Sequence, residues 1–186
     1  MPDEVPLPSR LLDRPQQRGL VVPYISVQTS AGDAILGNVH RARALECIDQ
    51  KRCQICGQRL TMPVVVLVRE SQLHLRYSDE PALHPECARY SVAACPMLNG
   101  RMSHYAGGST RHLGKACDKP GCDCGGWVNS PGTSSKAGEP AEPWVAVWLR
   151  DYALAVDEQH RLHGLTWLGD PIRIRPVPRR ETSDAR

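Results

Sequence analysis

Four residues with the chemistry of metal ligands frame the stretch from Cys53 to Cys87. Cys53 and Cys56 are two residues apart and Gly57 follows them, while His84 and Cys87 form a second pair at the same spacing. A tight turn brings two cysteines at this spacing to one side, and the glycine supplies the positive φ that such a turn needs. Three thiolates and one imidazole form the closed tetrahedral set of a structural zinc. The sequence therefore predicts a zinc site at Cys53, Cys56, His84 and Cys87.

Two other interpretations of these residues stay open from the sequence. Cys53 and Cys56 form a redox pair in one of them, but the βαβ pattern of such motifs is missing and His84 and Cys87 are left without a role. In the other, the cysteines are free and buried and the histidine lies on the surface. The paired spacing favours zinc over both.

The second ligand pair falls where a helix is expected to begin. Pro85 suits the first helical position because its missing N–H costs nothing there. Glu86 adds negative charge at the positive end of the helix dipole. The helix is predicted to run to Cys95, where Pro96 ends it.

Between the ligand pairs the sequence predicts a β-hairpin. Residues 64–68 are an apolar, mostly β-branched run, residues 69–72 are polar, and residues 73–77 alternate with a period of two. The order of knuckle, hairpin and helix resembles a treble-clef zinc finger. We expect an α+β fold with a small treble-clef-like zinc-binding core, short antiparallel strands and long irregular loops.

A second group of cysteines lies in a Gly- and Pro-rich stretch. Cys117, Cys122 and Cys124 fall within eight residues, which is difficult to explain as packing in a core. We hypothesise a second zinc site there, with His112 as the fourth ligand and His104 or Cys95 as alternatives. The other interpretation is a loop with exposed thiols. One Zn²⁺ is expected at the first site and a second at this one.

The remaining cysteine and the other histidines are expected to have ordinary roles. Cys47 lies near the end of an amphipathic helix over residues 39–49 and is expected to be buried. His40 and His74 have no partner at ligand spacing. His160 and His163 are three residues apart but lack a third ligand, so surface or hairpin positions are favoured.

Composition shifts along the chain suggest five segments. We predict an extended arm over residues 1–18, a zinc-binding α+β core over 19–99, and a Gly/Pro/Cys-rich loop with the second cysteine group over 100–143. Strands that pack on the core follow over 144–176, and a polar tail over 177–186. Within the fourth segment, residues 144–149 read as a strand and residues 165–175 as a hairpin.

The composition is poor in aromatic side chains. The 186 residues include no Phe, 16 Pro and 15 Gly, and aromatic residues make up 5%. A structural zinc would compensate for a thin core, because it adds on the order of 10 kcal/mol to folding. The net charge of +3 does not by itself indicate a nucleic-acid partner. The arginines at 173, 175, 179 and 180 are nevertheless candidates for contact with phosphates.

Nothing in the sequence suggests a membrane or a secreted protein. No apolar run approaches the roughly 20 residues that span a bilayer, and the residues after Met1 lack the apolar region of a signal peptide. Metal-bound thiolates fit a reducing compartment, so we expect a cytoplasmic protein.

The stretch from residue 18 to residue 98 resembles a group of small, uncharacterised zinc-binding proteins of bacteria and their phages. The resemblance is carried by the pattern CxxCG, then HxxCAxY, then Cys95-Pro96. It implies metal binding, and no catalytic residue can be transferred from it.

Three functions are compatible with these residues. The first is a zinc-stabilised binding protein whose partner is a protein or a nucleic acid. The second is an HNH-like metal-dependent nuclease, which needs a histidine beside an acidic residue on the hairpin. His74 has no such neighbour, and the helix after Cys87 offers no His or Asn. The third is an enzyme that uses the cysteines at 117–124.

Overall fold

A computed structural model describes residues 5–28, 34–105 and 138–179. Within these ranges the chain forms two α-helices, two short 3₁₀-helices and ten strands, and all strand pairs are antiparallel. The helices are α1 (Arg41–Asp49) and α2 (Pro85–Ala94), with 3₁₀ turns at Ser9–Leu11 and Glu70–Leu75. The strands are β1 (Gln16–Gln17), β2 (Leu20–Val21), β3 (Ser26–Gln28), β4 (Ala34–Val39), β5 (Val64–Arg69), β6 (Tyr77–Ser78), β7 (Trp144–Leu149), β8 (Tyr152–Val156), β9 (Leu162–Trp167) and β10 (Arg173–Pro176). Mixed helix and short antiparallel strands are as the sequence predicted.

Two three-stranded sheets form the larger part of the fold. One has the strand order β10-β7-β5 and the other β6-β9-β8, while β1-β2 and β3-β4 are separate pairs. β5 and β7 pair along six residues, from Val64 opposite Leu149 to Arg69 opposite Trp144. Strands that are distant in sequence therefore form the centre of the first sheet.

β7 and the first five residues of β5 are apolar, which suits strands whose sheet is covered on both faces. Alternate residues of the two strands belong to two different hydrophobic cores. One face contributes to the metal-side core, which we define by the buried residues Leu11, Val21, Cys53, Ile55, Cys56, Val65, Leu67, Leu83, Cys87, Ala88, Tyr90, Ala94, Leu98, Trp144, Ala146 and Val177. The other contributes to the sandwich core, which we define by Ile48, Val64, Val66, Val68, Ala82, Val145, Val147, Leu149, Tyr152, Leu165 and Trp167.

The hairpin predicted between the two ligand pairs is wrong. After β5 the chain turns through a 3₁₀-helix, Glu70–Leu75, and a left-handed residue, Arg76. The short strand β6 then pairs with β9 in the other sheet. A strand that is buried on both faces needs a neighbour that is apolar on both faces, and β7 provides one. Residues 73–77 alternate between apolar and polar side chains, so they could continue the apolar surface of β5 on only one face.

The hairpin predicted over residues 165–175 is also wrong. β9 pairs with β8 and β6, whereas β10 pairs with β7 in the other sheet. The turn at Gly169, which has φ +68, carries the chain from one sheet to the other. The strand predicted over 144–149 is confirmed as β7.

Both helices lie close to where the sequence placed them. α1 ends at Asp49 as predicted, begins at Arg41, and is capped by His40, whose Nδ1 accepts a hydrogen bond from the Arg43 amide. Cys47 is fully buried, as expected. α2 has Pro85 in its first turn and ends at Ala94, with Cys95 as its C-cap. Among the described residues, no helix has both the length and the apolarity needed to cross a membrane.

The segments outside the predicted core take part in packing. Leu11, in the stretch that was assigned to an extended arm, is fully buried in the metal-side core. Val177, assigned to the polar tail, is buried in the same core. The five-segment division itself stays a prediction, and the described part of the 100–143 stretch ends at residue 105 and resumes at 138.

Candidate metal centre

The four predicted ligands of the first site lie together in the structure. One ligand atom from each of Cys53, Cys56, His84 and Cys87 lies within 4.8 Å of the others. All four residues are buried. Within the described ranges this is the group of His, Cys and acidic side chains that is close enough to hold a metal ion.

A knuckle positions the first two ligands. The Gly57 amide donates to the Cys53 carbonyl at 2.8 Å, and the Cys53 amide donates to the Gln58 carbonyl at 2.9 Å. An antiparallel bridge between Arg52 and Arg59 closes the turn at its base. These bonds hold the Cys53 and Cys56 side chains on the same side of the turn.

Gly57 is required in this knuckle for two reasons. Its φ is +75, a conformation that residues with a Cβ rarely adopt. A Cβ at this position would also lie 2.6 Å from the ring of Tyr24. Tyr24 is held there because its amide donates to the Ile55 carbonyl at 3.0 Å. The glycine therefore lets the first strands pack directly on the knuckle.

The start of α2 positions the other two ligands. Leu83 and Val65 exchange two backbone hydrogen bonds, of 2.8 and 2.9 Å. These bonds hold the chain against β5 directly before the next residue. That residue, His84, occupies the N-cap position but makes no side-chain cap bond, so its imidazole is free to face the cysteines. Cys87 follows in the first helical turn.

A hydrogen bond to the backbone fixes the orientation of the His84 ring. Nε2 lies 3.0 Å from the Arg59 carbonyl, to which it donates its proton. Nδ1 faces the cysteines and lies 3.4 Å from the Cys56 sulfur. Metal-bound histidines usually donate their second ring N–H to such a carbonyl, because this sets the tautomer and the direction of the lone pair. Nδ1 is therefore the ring atom that could bind a metal ion.

The distances fit a tetrahedral zinc ion. Bond lengths of about 2.3 Å to sulfur and about 2.0 Å to nitrogen at tetrahedral angles place sulfur and nitrogen about 3.5 Å apart and two sulfurs about 3.8 Å apart. The 3.4 Å between Cys56 and His84 matches the first value, and the 4.8 Å limit accommodates the second. If all four residues bound one ion, they would fill a tetrahedral shell and leave no position for water or a substrate.

The pKa shifts within the cluster differ in direction from one member to the next. Hydrogen bonds from Cys53 and Cys87 lower the pKa of Cys56, whereas the bond to Cys53 raises the pKa of Cys87. Burial lowers the pKa of His84, but hydrogen bonds to Cys53 and Cys56 outweigh it and raise the pKa to about 10. One thiolate can be held by its neighbours, and a divalent cation would allow all three thiols to ionise.

The N-terminal segment braces both halves of the site. Arg10 donates to Glu86 of α2 at 2.5 Å and to the Gln58 side chain of the knuckle at 2.8 Å. The hydrogen bond to Glu86 raises the pKa of Arg10. The sequence did not indicate this brace, because residues 1–18 show no periodic pattern from which packing against the site could be predicted.

The other predicted ligand residues lie apart from this cluster. His112, Cys117, Cys122 and Cys124 of the second site are outside the described residues. Of the alternatives, Cys95 is half-buried beside the metal-side core. His104 is exposed and forms a bridge with Pro140.

The remaining histidines have ordinary environments, as the sequence predicted. His74 is exposed in the 3₁₀-helix that replaces the predicted hairpin. His160 lies in the turn between β8 and β9 with φ +58. His163 lies on β9, and its Nδ1 is 2.9 Å from the Tyr77 hydroxyl.

Comparison with models of protein families, with curated proteins and with solved structures finds no match for this chain. The class of the site is therefore defined by its geometry: a buried group of three cysteines and one histidine that can hold a metal ion.

Proposed function

We propose that the chain is a zinc-stabilised interaction protein in which the metal has a structural role. The observation that carries this proposal is the closed and buried set of Cys53, Cys56, His84 and Cys87. A catalytic zinc keeps one coordination position for water, whereas four protein ligands leave none. The ion would join the knuckle to α2 and so close the metal-side core.

The donor set favours zinc over other metals. Thiolates are soft ligands that select zinc, copper(I) or iron–sulfur clusters, whereas magnesium and calcium need oxygen ligands. The imidazole and the tetrahedral spacing favour zinc within that group. The five described cysteines are free thiols, which supports a reducing compartment such as the cytoplasm.

The knuckle and the start of α2 also support a treble-clef-like interpretation of the site. Both ligand-bearing elements are present, and the expected hairpin between them is replaced by β5 pairing with β7. We also propose that the chain is related to the small bacterial and phage proteins that residues 18–98 resemble, on the pattern of these two ligand pairs.

The described residues give the nuclease alternative no support. It requires His74 on a hairpin strand beside the metal, and His74 is exposed on a 3₁₀-helix. The alternative of an enzyme that uses residues 117–124 depends on residues outside the described ranges.

Cobalt substitution tests whether the site is closed. With Co²⁺ in place of zinc, we expect the intense visible bands of a four-coordinate thiolate site and no spectral change when azide or cyanide is added. A change on adding either anion would indicate an open coordination position and contradict a structural role. The Cys56→Ser variant should weaken the thiolate charge-transfer bands, whereas Cys47→Ser, which alters a buried cysteine outside the cluster, should leave them unchanged.

The second zinc is a separate proposal, tested by counting metal. Native mass spectrometry should give two zinc ions per chain if Cys117, Cys122 and Cys124 bind one, and the Cys122→Ser variant should then lose one. A stoichiometry of one that is unchanged in that variant would remove the second site and leave the first.

A further inference from the structure

β10 forms an exposed edge with two arginines on one face. All four of its residues, Arg173 to Pro176, are exposed. Arg173 lies opposite Trp148 and Arg175 opposite Ala146, and both of these β7 residues face the metal-side core. Residues two apart on a strand are about 7 Å apart, so the two guanidinium groups project along the same side of the edge.

Two more arginines lie close to each other in the segments around Gly100 and after β10. Arg179 follows Arg175 by four residues, and its Cβ and Nε lie 3.0 and 3.3 Å from the point where a Cβ on Gly100 would be. Arg101 comes next after Gly100, and both arginines are exposed. We call Arg101, Arg173, Arg175 and Arg179 the arginine strip.

The strip carries uncompensated positive charge in the part of the chain that the structure describes. The ion pairs found there involve other cations, namely Arg10, Lys51, Arg52, Arg76 and Arg161. None of them includes a residue of the strip. Among the described residues these four guanidinium groups have no carboxylate partner, which leaves them available to a polyanionic partner.

Flat and apolar surface lies beside the strip. The Arg173 guanidinium carbon is 5.0 Å from the centre of the half-buried Trp148 ring. Ile172 and Ile174 alternate with the arginines, and they are 48% and 44% exposed. A partner that lies along β10 would meet charged groups on one side and apolar side chains on the other.

The backbone of β10 is poorly suited to pairing with another strand. The strand has only four residues, and one of them is Pro176, which has no N–H to donate. Short edge strands with proline and charged side chains are the features by which proteins prevent strand addition. This argues against an acidic peptide that would extend the sheet, so recognition through side chains is favoured.

We infer that the arginine strip binds single-stranded nucleic acid. The guanidinium groups would contact successive phosphates, while Trp148, Ile172 and Ile174 would pack against unstacked bases. A single strand offers both phosphates and base faces, whereas a duplex encloses its base faces. An anionic membrane fits less well, because insertion needs well-exposed apolar groups beside the basic ones, whereas Ile172 and Ile174 alternate with the arginines and the Trp148 ring on the arginine face is half-buried. This inference rests on the proposed function, because it names the partner of that interaction protein.

Fluorescence anisotropy with zinc-loaded protein tests the inference. The probes are a labelled 20-nucleotide oligo-dT, an oligo-U of the same length and a 20-base-pair DNA duplex, each measured from 50 to 300 mM salt. We expect tighter binding to a single strand than to the duplex, and the two single strands show whether DNA or RNA is preferred. The Arg173→Gln/Arg175→Gln variant should bind at least tenfold more weakly at low salt. Its log–log salt slope should be shallower by about 1.4, because two phosphate contacts are lost at about 0.7 each.

Arg89→Gln is the matched control. Arg89 is exposed on α2 and, like Arg175, makes no ion pair within the described ranges, so its removal should change affinity less than twofold. Equal losses in the control and in the strip variant would overturn the inference. So would an absence of binding to any probe, a preference for the duplex, or tighter binding to phosphatidylserine vesicles.

Zinc content and melting temperature, measured on the same samples, separate this inference from the proposed function. Folded, zinc-loaded protein that binds no nucleic acid contradicts the inference alone. Protein that folds fully without zinc contradicts the proposed function, whichever result the binding assay gives.

Discussion

The two faces of the β5-β7 pair carry cores of different chemistry. The sandwich core consists of apolar side chains together with Tyr152, whose hydroxyl donates to the Ile48 carbonyl at 3.0 Å. The metal-side core includes Cys53, Cys56 and Cys87, with the buried His84 beside them. One core is held mainly by apolar packing, and the other surrounds a group of residues that could hold a cation.

This difference predicts which part of the fold would depend on a bound metal ion. Burial of apolar area stabilises the sandwich core directly. On the metal side, the buried residues Cys53, Cys56, His84 and Cys87 would be joined by a cation bound between them. We therefore expect the metal-side core to open first when the ion is removed. The two cores share β5 and β7, so variants in each core can show how far their stabilities are coupled.

The largest effect should come from breaking the ligand set. Cys87→Ser removes one thiolate, and we expect loss of the bound zinc together with most of its contribution to folding, on the order of 10 kcal/mol. Hydrogen exchange should then show lost protection in α2 and the knuckle before β8 and β9. The control is Cys47→Ser, at an equally buried cysteine outside the cluster, which should retain zinc. Retention of zinc by the Cys87 variant would contradict the site.

Truncation of a side chain in the sandwich core should lower the stability of the protein without releasing the metal ion. Leu165 is fully buried, so Leu165→Ala should lower the free energy of unfolding by about 2–5 kcal/mol. Urea denaturation measures this loss, and zinc counting should give the wild-type value. The control is Leu154→Ala on the neighbouring strand, where the side chain is 42% exposed and the expected loss is below about 1 kcal/mol. Release of zinc from the Leu165 variant would mean that the stabilities of the two cores are not independent.

A comparison of alanine variants at Gly57 and Gly169, which both have positive φ, measures how tightly Tyr24 packs on the knuckle. Gly57→Ala and Gly169→Ala should both lose about 1 kcal/mol, because each adds a Cβ in the left-handed region. Only the Cβ at Gly57 would meet the Tyr24 ring, at 2.6 Å, whereas the one at Gly169 has no neighbour within 4 Å. We expect a further loss of about 1–3 kcal/mol and weaker zinc binding for Gly57→Ala alone. Equal losses would show that the ring moves away freely.

The smallest effect concerns pH and the loop that joins β6 to α2. Burial and then the charge of Asp79 raise the pKa of Glu80 from 4.5 to about 7. The folded state therefore holds this proton more tightly than the unfolded state. The resulting stability is present below pH 4.5 and is lost as the pH rises through 7.

Glu80→Gln removes this titration. The variant should be more stable than the wild type by about 1–2 kcal/mol above pH 7, and the two should converge below pH 4.5. Thermal melts between pH 4 and 8 measure the difference. Glu158→Gln, at an exposed position in the turn between β8 and β9, serves as the control. A constant difference across this range would show that Glu80 acts through packing and not through its charge.

The parts of the fold that the sequence predicted are those fixed over a few residues. The CxxCG spacing sets the knuckle, His84-Pro85 sets the helix start, and Pro96 follows its end. Cys47 was predicted to be buried from its place on α1. These features depend on local φ and hydrogen bonds, so neighbouring residues are sufficient to determine them.

The partners of the strands could not be predicted in the same way. Residues 73–77 and 165–175 have patterns typical of hairpins, yet β6 pairs with β9 and β10 with β7. Strand pairing depends on which distant segment can cover both faces of β5, and no local pattern records this. The brace from Arg10 to Glu86 and Gln58 was missed for the same reason.

The sequence by itself determined which four side chains could bind a metal and which two elements carry them, because ligand spacing and helix capping act over a few residues. Only the tertiary structure decided that β7 covers β5, that His84 presents Nδ1 to the cysteines, and that β10 exposes two arginines at a sheet edge. Those outcomes follow from burying apolar surface between segments that are far apart in the chain, where the free energy depends on all the partners together.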